Sequence, residues 1–326
     1  MIHHRHQKLP ASRRRLDAAS FRPDELFFTL LPAEIMGFSL LTKIWASLKI
    51  DRIEEVQWNN EAFERLVIPD QTKELIRALV DNHSDAEEHD LIAGKGKGLL
   101  ILLHGAPGAG KTFTAECVAE KVEKPLYQVS CGEIGTDPSE LERYLGYVFD
   151  QANRWDCIVL LDEADVFLQQ RDLSDLQRDS LVSAFLRILE YYSGILMLTT
   201  NRVGIFDEAV VSRITLALHY TVLGNEQRGM IWSNFFNLLE KGETGLEVDF
   251  DDLRLHLRDL AEKAMNGRQI RNVITTARQL AKFRRQQLDF GIIQQVLGVS
   301  GKFDQYLNEV RNGLDDTEAA RMRGSR

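Results

Sequence analysis

Short apolar runs alternate along the chain with longer stretches that carry apolar residues at helical spacing. Each run has the length and composition of a buried strand, and strands that alternate with helices form a parallel sheet covered on both faces. The pattern therefore predicts an α/β sandwich with a five-stranded parallel sheet. The predicted strands are LLILL at 99–103, LYQVS at 126–130, IVLLD at 158–162, ILMLT at 195–199 and ITLALHY at 214–220.

Helices are predicted before and between these strands. Apolar residues recur at helical spacing over 59–83, where Pro69 divides the stretch into two helices. Asp137 is a suitable capping residue for a helix over 138–153, and a further helix is expected over 175–192.

The strand pattern stops after Leu223, and the remaining sequence has helical patterns alone. This change predicts a second, smaller, all-helical domain. The predicted divisions are an N-terminal linker or partly disordered segment at 1–53, the αβα domain at 54–223, the helical domain at 224–313 and a polar tail at 314–326.

Composition narrows the class of protein. A net charge of -9 over 326 residues argues against nucleic acid as a partner, and no apolar run is long enough to span a membrane. The three cysteines form no CxxC pair, which indicates reduced thiols inside a cell and no zinc site. Residues 1–16 are basic, and we favour a solvated tail over a mitochondrial transit peptide. We therefore expect a cytoplasmic or nuclear protein, with the mitochondrion as the alternative.

The stretch GAPGAGKT, residues 105–112, joins a predicted strand to a predicted helix and matches the phosphate-loop pattern GxxxxGK[ST]. Glycines let main-chain N–H groups converge on phosphate oxygens, and the helix N-terminus adds a positive dipole. We expect Lys111 to bridge the β- and γ-phosphates and Thr112 to hold Mg²⁺. The predicted nucleotide-binding residues are Gly105, Ala106, Pro107, Gly108, Ala109, Gly110, Lys111, Thr112 and Phe113.

Polar residues end two of the other predicted strands. Asp162 and Glu163 follow an apolar strand, which predicts that Asp162 binds Mg²⁺ and that Glu163 activates a water for attack on the γ-phosphorus. Asn201 closes the strand expected beside it, where its amide can orient that water. These residues predict a nucleoside triphosphatase.

The chain resembles the AAA+ ATPases, and in particular those of filamentous fungi. GAPGAGKT resembles the family's Walker A motif, IVLLDEAD its Walker B motif and Asn201 its sensor 1 residue. The resemblance extends over about residues 54–290 and implies ATP and Mg²⁺ as ligands, bound between the αβα domain and a helical lid. It also implies a homo-oligomeric ring, most often a hexamer, and a longer chain in which this module lies toward the end.

The same resemblance suggests roles for several arginines. Arg213, in DEAVVSRI, matches an arginine finger that completes a neighbouring subunit's site, and Arg202 is a second candidate. NGRQIRN resembles the sensor 2 helix, in which Arg268 matches the sensor arginine best, although Arg271 lies one turn further on the same face.

One segment departs from the family pattern. AAA unfoldases carry an aromatic residue in the loop that faces the pore of the ring, but CGEIGTDPSELE at 131–142 has none. Ile134 is expected to make at most a weaker contact with a threaded chain.

Three functions are consistent with these patterns. The first is an ATP-hydrolysing remodeller of an unidentified protein partner, and the second is a nucleotide-gated assembly scaffold with little hydrolysis. The third, a DEAD-type RNA helicase, is suggested by LLDEAD alone. Such helicases need a second RecA-like domain, whereas the residues after Thr200 have mainly helical patterns. No NKxD motif for guanine is present.

Overall fold

The five predicted strands form a single parallel sheet. The computed structural model describes residues 31–83, 98–135, 137–168, 176–202, 206–242 and 247–310. The basic stretch 1–16 and the tail 314–326 lie outside them. The strands are β3 (Leu99–Gly105), β4 (Leu126–Ser130), β5 (Ile158–Asp162), β6 (Ile195–Thr200) and β7 (Leu216–Tyr220). Their order across the sheet is β4-β5-β6-β3-β7.

Strand register determines which residues meet at the carboxyl edge of the sheet. His104 of β3 pairs with Thr200 of β6, and Leu161 of β5 pairs with Leu198 of β6. The segments that follow these strands therefore begin side by side. The predicted phosphate loop, Asp162 and Asn201 lie along this one edge.

Helices cover both faces of the sheet, and their bounds agree with the predicted ones to within a few residues. Pro69 separates the first two helices, as predicted, and Asp137 Oδ1 accepts hydrogen bonds from the N–H groups of Ser139 and Glu140. The helices are α1 (Asn60–Glu64), α2 (Asp70–Asp81), α3 (Lys111–Lys121), α4 (Pro138–Trp155), α5 (Asp165–Leu168), α6 (Leu176–Leu189) and α7 (Glu208–Val211).

The αβα part has a continuous apolar core. Side chains of β3, β5 and β6 pack with those of α1, α2 and α3, and Ile76, Ile101 and Leu160 are among the fully buried ones. Both faces of the central strands are buried, which explains why they have continuous apolar runs and no alternation.

A helical part with its own core follows β7, as the sequence predicts. Trp232, Phe236 and Ile274 lie at the centre of this core. The helices are α8 (Asn225–Lys241), α9 (Phe250–Leu255), α10 (Leu257–Glu262), α11 (Gly267–Arg284) and α12 (Phe290–Val310).

The chain divides into two units, 1–56 and 57–326, and the first contains a β-hairpin. Its strands, β1 (Glu34–Ser39) and β2 (Ile44–Lys49), are antiparallel, and Phe38 pairs with Trp45 across them. The sequence pattern predicted no strands in this segment. The turn lacks the usual glycine or asparagine, and Lys43 supplies the positive φ of +57° instead.

Within the described ranges, no helix combines the length and the apolar character that crossing a bilayer requires.

Candidate active site

The loop 105–112 begins where β3 ends and is attached to the neighbouring edge strand. Gly105 has a φ of +128°, and a Cβ at this position would overlap the carbonyl oxygen of Tyr220. The same oxygen accepts a hydrogen bond from the Ala106 N–H at 3.0 Å. Only glycine satisfies both the backbone conformation and this close approach.

Lys111 is the first residue of α3, and its side chain folds back beneath the loop. The residue is 6% exposed, and its Nζ donates hydrogen bonds to the carbonyl oxygens of Gly105 at 2.9 Å and Ala106 at 2.8 Å. Burial lowers the pKa of Lys111, and nearby Arg268 lowers it further, whereas Asp162 acts in the opposite direction. An ammonium has three N–H groups, so one remains for an anion above the loop.

Thr112, Asp162 and Thr199 form a connected group beside the loop. Thr112 Oγ1 donates to Asp162 Oδ1 at 3.0 Å, and the hydroxyl of Thr199 donates to the same oxygen. Gln128 Nε2 lies 3.4 Å from the other oxygen, Asp162 Oδ2. These contacts fix the Asp162 carboxylate next to the first turn of α3.

This oxygen group fits Mg²⁺. Magnesium binds hard oxygen donors and usually takes only one or two from the protein, because it keeps waters and substrate phosphates as its other ligands. A threonine hydroxyl and a carboxylate at the end of a phosphate loop meet that requirement.

Glu163 lies in an unusual backbone conformation directly after the strand. Its φ is +58°, a left-handed value that disfavours side chains with a Cβ. The β6 strand stabilises it, since Thr199 Oγ1 accepts from the Glu163 N–H at 3.0 Å and the Thr199 carbonyl accepts from Ala164 at 2.8 Å. The Glu163 side chain is exposed at the sheet edge, where it is available to solvent.

Asn201 and Arg202 follow β6 at the same edge. Because Thr200 pairs with His104, Asn201 begins its segment beside the phosphate loop. Thr200 itself is held by hydrogen bonds, since its hydroxyl donates to Asp165 and accepts from the Arg202 N–H at 3.1 Å. Asn201 and Arg202 are both exposed.

Arg213 lies away from these residues. It precedes β7, whose opposite end, at Tyr220, pairs with Gly105 of the loop. The strand alone separates the two ends by about 13 Å. The Arg213 side chain is exposed, and its Nη1 donates to the Ala209 carbonyl at 2.8 Å.

Arg268 and Arg271, the two sensor 2 candidates, affect the pKa values of different residues in the αβα part. Arg268 lies close enough to Lys111 to lower its pKa. Arg271 instead acts on Glu116 of α3: desolvation raises the pKa of Glu116, and the charge of Arg271 acts against that rise. Arg268 is thus the candidate whose charge acts on the lysine of the loop.

The segment 131–142 buries its one branched apolar residue before the helix, Ile134. That side chain is 4% exposed and packs inward, so it offers little surface for contact with a threaded chain. Exposed neighbours in this segment include the polar residues Asp137, Ser139 and Glu140, together with two glycines.

Several residues around the site were missed by sequence analysis. Thr199 holds both acidic residues. Tyr220 holds the loop through its carbonyl and holds α3 through its hydroxyl, 2.7 Å from Thr114 Oγ1. Asn266 meets the loop from the helical part. Of these residues, only Thr199 could have been noticed in the sequence, because two threonines end the otherwise apolar strand in LTTN.

A phosphate loop on a five-stranded parallel sheet, with a helical domain after it, defines the P-loop ATPases of AAA+ architecture. Two family models match the chain in agreement with this class. One describes the ATPase family associated with various cellular activities (AAA) and matches residues 101–221, and the other describes the fungal AAA+ ATPase lid domain and matches residues 223–314. Residues 101–221 are thus an AAA ATPase domain, and residues 223–314 are a lid domain of the fungal AAA+ type.

Relatives and a solved structure are similar over parts of the chain. Nuclear valosin-containing protein-like from Mus musculus is 34% identical over 39% of this chain, and ATPase family AAA domain-containing protein 3 from Xenopus tropicalis is 26% identical over 64%. The matches span 15% and 37% of those two relatives. The crystal structure of the FIGL-1 AAA domain in complex with ADP has a TM-score of 0.55 and 20% identity, covering 82% of this chain and 91% of that chain.

Proposed function

We propose that this chain binds ATP with Mg²⁺ at residues 105–112 and hydrolyses the bond between the β- and γ-phosphates. The observation that carries the proposal is the buried Lys111 ammonium, held by loop carbonyls beside the Thr112–Asp162 pair. Membership of an ATPase family supports it, as does the complex of the FIGL-1 AAA domain with ADP.

Each residue has a defined part in the proposed reaction. Lys111 binds the β- and γ-phosphate oxygens, and Glu163 accepts a proton from the water that attacks the γ-phosphorus. Asn201 orients that water. The γ-phosphorus gains a bond to the water oxygen and loses its bond to the bridging oxygen, which leaves ADP and phosphate. Thr112 and Asp162 would hold Mg²⁺, which neutralises charge on the phosphates.

A second subunit is part of the proposal. Arg213 is distant from its own loop, so we propose that it acts on the γ-phosphate bound by a neighbour in a homo-oligomeric ring. Arg268 would couple the lid to the phosphates of its own subunit. The ring would remodel a protein partner, and the polar surface of segment 131–142 favours a grip other than an aromatic one.

Phosphate release from the full chain with ATP and Mg²⁺ tests the proposed reaction. We expect Lys111→Ala to lose ATP binding, because it removes the cation beneath the loop. We expect Glu163→Gln to bind ATP but to lose about 100-fold or more in turnover, since the base is gone. Lys282→Ala and Glu226→Gln, at exposed lid positions, are matched controls and should behave as wild type.

Retained hydrolysis in Glu163→Gln would overturn the assignment of the base. Assembly on ATP without any phosphate release by the wild type would favour the scaffold over the hydrolase.

A further inference from the structure

The lid and the phosphate loop touch directly at one corner. Gly267, the first residue of α11, donates its N–H to the carbonyl oxygen of Gly108 at 3.1 Å. Next to it, the Asn266 side chain lies so close to Gly108 that a Cβ there would be 2.6 Å from Asn266 Cγ. A hydrogen bond and a tight steric contact therefore join the two parts, independently of any arginine.

The lid side of this corner is rigid. Asn266 Oδ1 accepts from the Gln269 N–H at 2.9 Å, and Gln269 Oε1 accepts from the Asn266 N–H at 2.8 Å. This reciprocal capping box fixes the Asn266 side chain to the helix. Helix α11 also contributes Ile270 and Ile274 to the lid core. Asn266 at its start can therefore move only together with the lid.

On the loop side of this contact, a bound phosphate would determine the backbone conformation. Gly108 has a φ of +70°, and it lies between Gly105 and Lys111 in the loop that cradles the phosphates. Main-chain N–H groups that turn toward an anion also fix the direction of the adjoining carbonyls. The Gly108 carbonyl accepts the hydrogen bond from the Gly267 N–H of the lid. Its direction therefore depends on whether a phosphate is bound in the loop.

We propose that Asn266 is a positioning residue that, with Gly267, holds the lid on Gly108 and couples lid position to nucleotide in the loop. This inference rests on the proposed function, because it takes ATP as the occupant of residues 105–112. In this proposal, the lid is coupled to the nucleotide by a main-chain hydrogen bond and a steric contact, in addition to Arg268.

A double-mutant cycle on ATP affinity tests this contact. Gly108→Ala should weaken ATP binding about tenfold or more, through left-handed strain and through the clash with Asn266. Asn266→Ser keeps a capping hydroxyl but removes the bulk that meets the new methyl. Asn266→Ser should therefore restore about threefold or more of the affinity when combined with Gly108→Ala.

Gly110→Ala is the matched control. Its φ is +104°, so alanine is strained there as well. A Cβ at Gly110, however, would have no non-neighbouring heavy atom within 4 Å in the part of the chain that the structure describes. Asn266→Ser should give no recovery in this background. Equal effects of Asn266→Ser in the Gly108→Ala and Gly110→Ala backgrounds would overturn the proposal.

Hydrogen exchange provides a second measurement that needs no change in the loop. ATP should slow exchange of the Gly267 amide in the wild type, and Asn266→Ser should lose most of that protection. Equal protection in both chains would count against the contact.

A failure of the proposed ATP binding can be distinguished from a failure of the contact between the lid and the loop. A folded wild type that binds no ATP overturns that function, and the contact is then judged by urea unfolding of the wild type, the two single variants and the double variant. Non-additive unfolding free energies for Gly108→Ala and Asn266→Ser would support the contact, and additive ones would overturn it.

Discussion

Thr199 connects the two acidic residues on which the proposed chemistry depends. Its hydroxyl donates to Asp162 and accepts from the Glu163 N–H, and its carbonyl accepts from Ala164. One side chain thus orients the carboxylate that we propose as a Mg²⁺ ligand and stabilises the left-handed backbone of the proposed base. Such strain at a functional residue persists only where neighbouring contacts compensate for it.

Replacing Thr199 by valine should lower kcat more than it raises KM. The substitution keeps the shape but removes two hydrogen bonds, so we expect kcat to fall about 10- to 100-fold. Thr199→Ser, which retains the hydroxyl, is the control and should keep most of the activity. Steady-state phosphate release measures both constants, and a change in KM alone would contradict this role.

His104 should make stability depend on pH. Burial lowers its pKa, and the stacked His219, 4.8 Å away between ring centroids, and Lys111 lower it further. The folded chain then binds fewer protons than the unfolded chain between the lowered pKa of His104 and its ordinary value of 6.5, so stability falls as the pH drops through that window. We expect His104→Phe to flatten this dependence in urea unfolding. The same slope in both chains would show that other groups cause it.

Motif residues could be predicted from sequence because their spacing is local. The loop 105–112 and the pair Asp162–Glu163 each lie in one short stretch after an apolar strand. The role of Thr199 could not be predicted, because it depends on contact with a residue 37 positions away. The role of Asn266 could not be predicted either, because its approach to Gly108 depends on where the lid lies.

At the level of elements, a buried arginine ties the lid to the segment that enters it. Arg228 of α8 is 6% exposed and donates to the carbonyls of Ala261 at 2.7 Å and Leu223 at 2.6 Å. It also donates to Asn225 Oδ1. Leu223 lies in the link between β7 and α8, so this group fixes the start of the lid to the end of α10.

Arg228→Met should therefore destabilise the lid without touching the loop. We expect a loss of about 2–3 kcal/mol in the free energy of unfolding, because charged hydrogen bonds to buried carbonyls are lost. Arg258→Met, at a 91% exposed side chain, is the control and should stay within about 0.5 kcal/mol of wild type. Urea unfolding measures both, and equal losses would show that the buried contacts contribute little.

The elements also show where sequence patterns succeed. Central strands were predicted because burial on both faces requires continuous apolar runs, as in β3 and β6. The β1–β2 hairpin was missed because its strands lack clean alternation. Ile35, Met36, Ile44 and Trp45 are all exposed, so apolar residues occur on both of its faces.

At the level of the whole molecule, the proposed mechanism calls on a second copy of the chain to supply Arg213. Arg213 lies at the far end of β7 from the loop and is exposed. If it acts on a neighbour, an inactive Arg213→Ala chain and an inactive Glu163→Gln chain should partly restore activity when mixed. The Arg213→Ala subunit supplies Glu163, and the Glu163→Gln subunit supplies Arg213.

Phosphate release after co-assembly measures this rescue, and each variant alone is the control. Light scattering on size-exclusion chromatography, with and without ATP, should show that both variants assemble as the wild type does. Assembled mixtures that show no rescue would contradict an arginine acting between subunits.

The central claim is that the loop with Lys111 at its base holds the triphosphate of ATP together with Mg²⁺. Calorimetric titration of ATP and Mg²⁺ into the folded wild-type chain tests it most directly, with Lys111→Ala titrated in parallel. We expect saturable binding heat from the wild type and its loss in Lys111→Ala. No heat from the folded wild type, or equal heat from both chains, would contradict the claim.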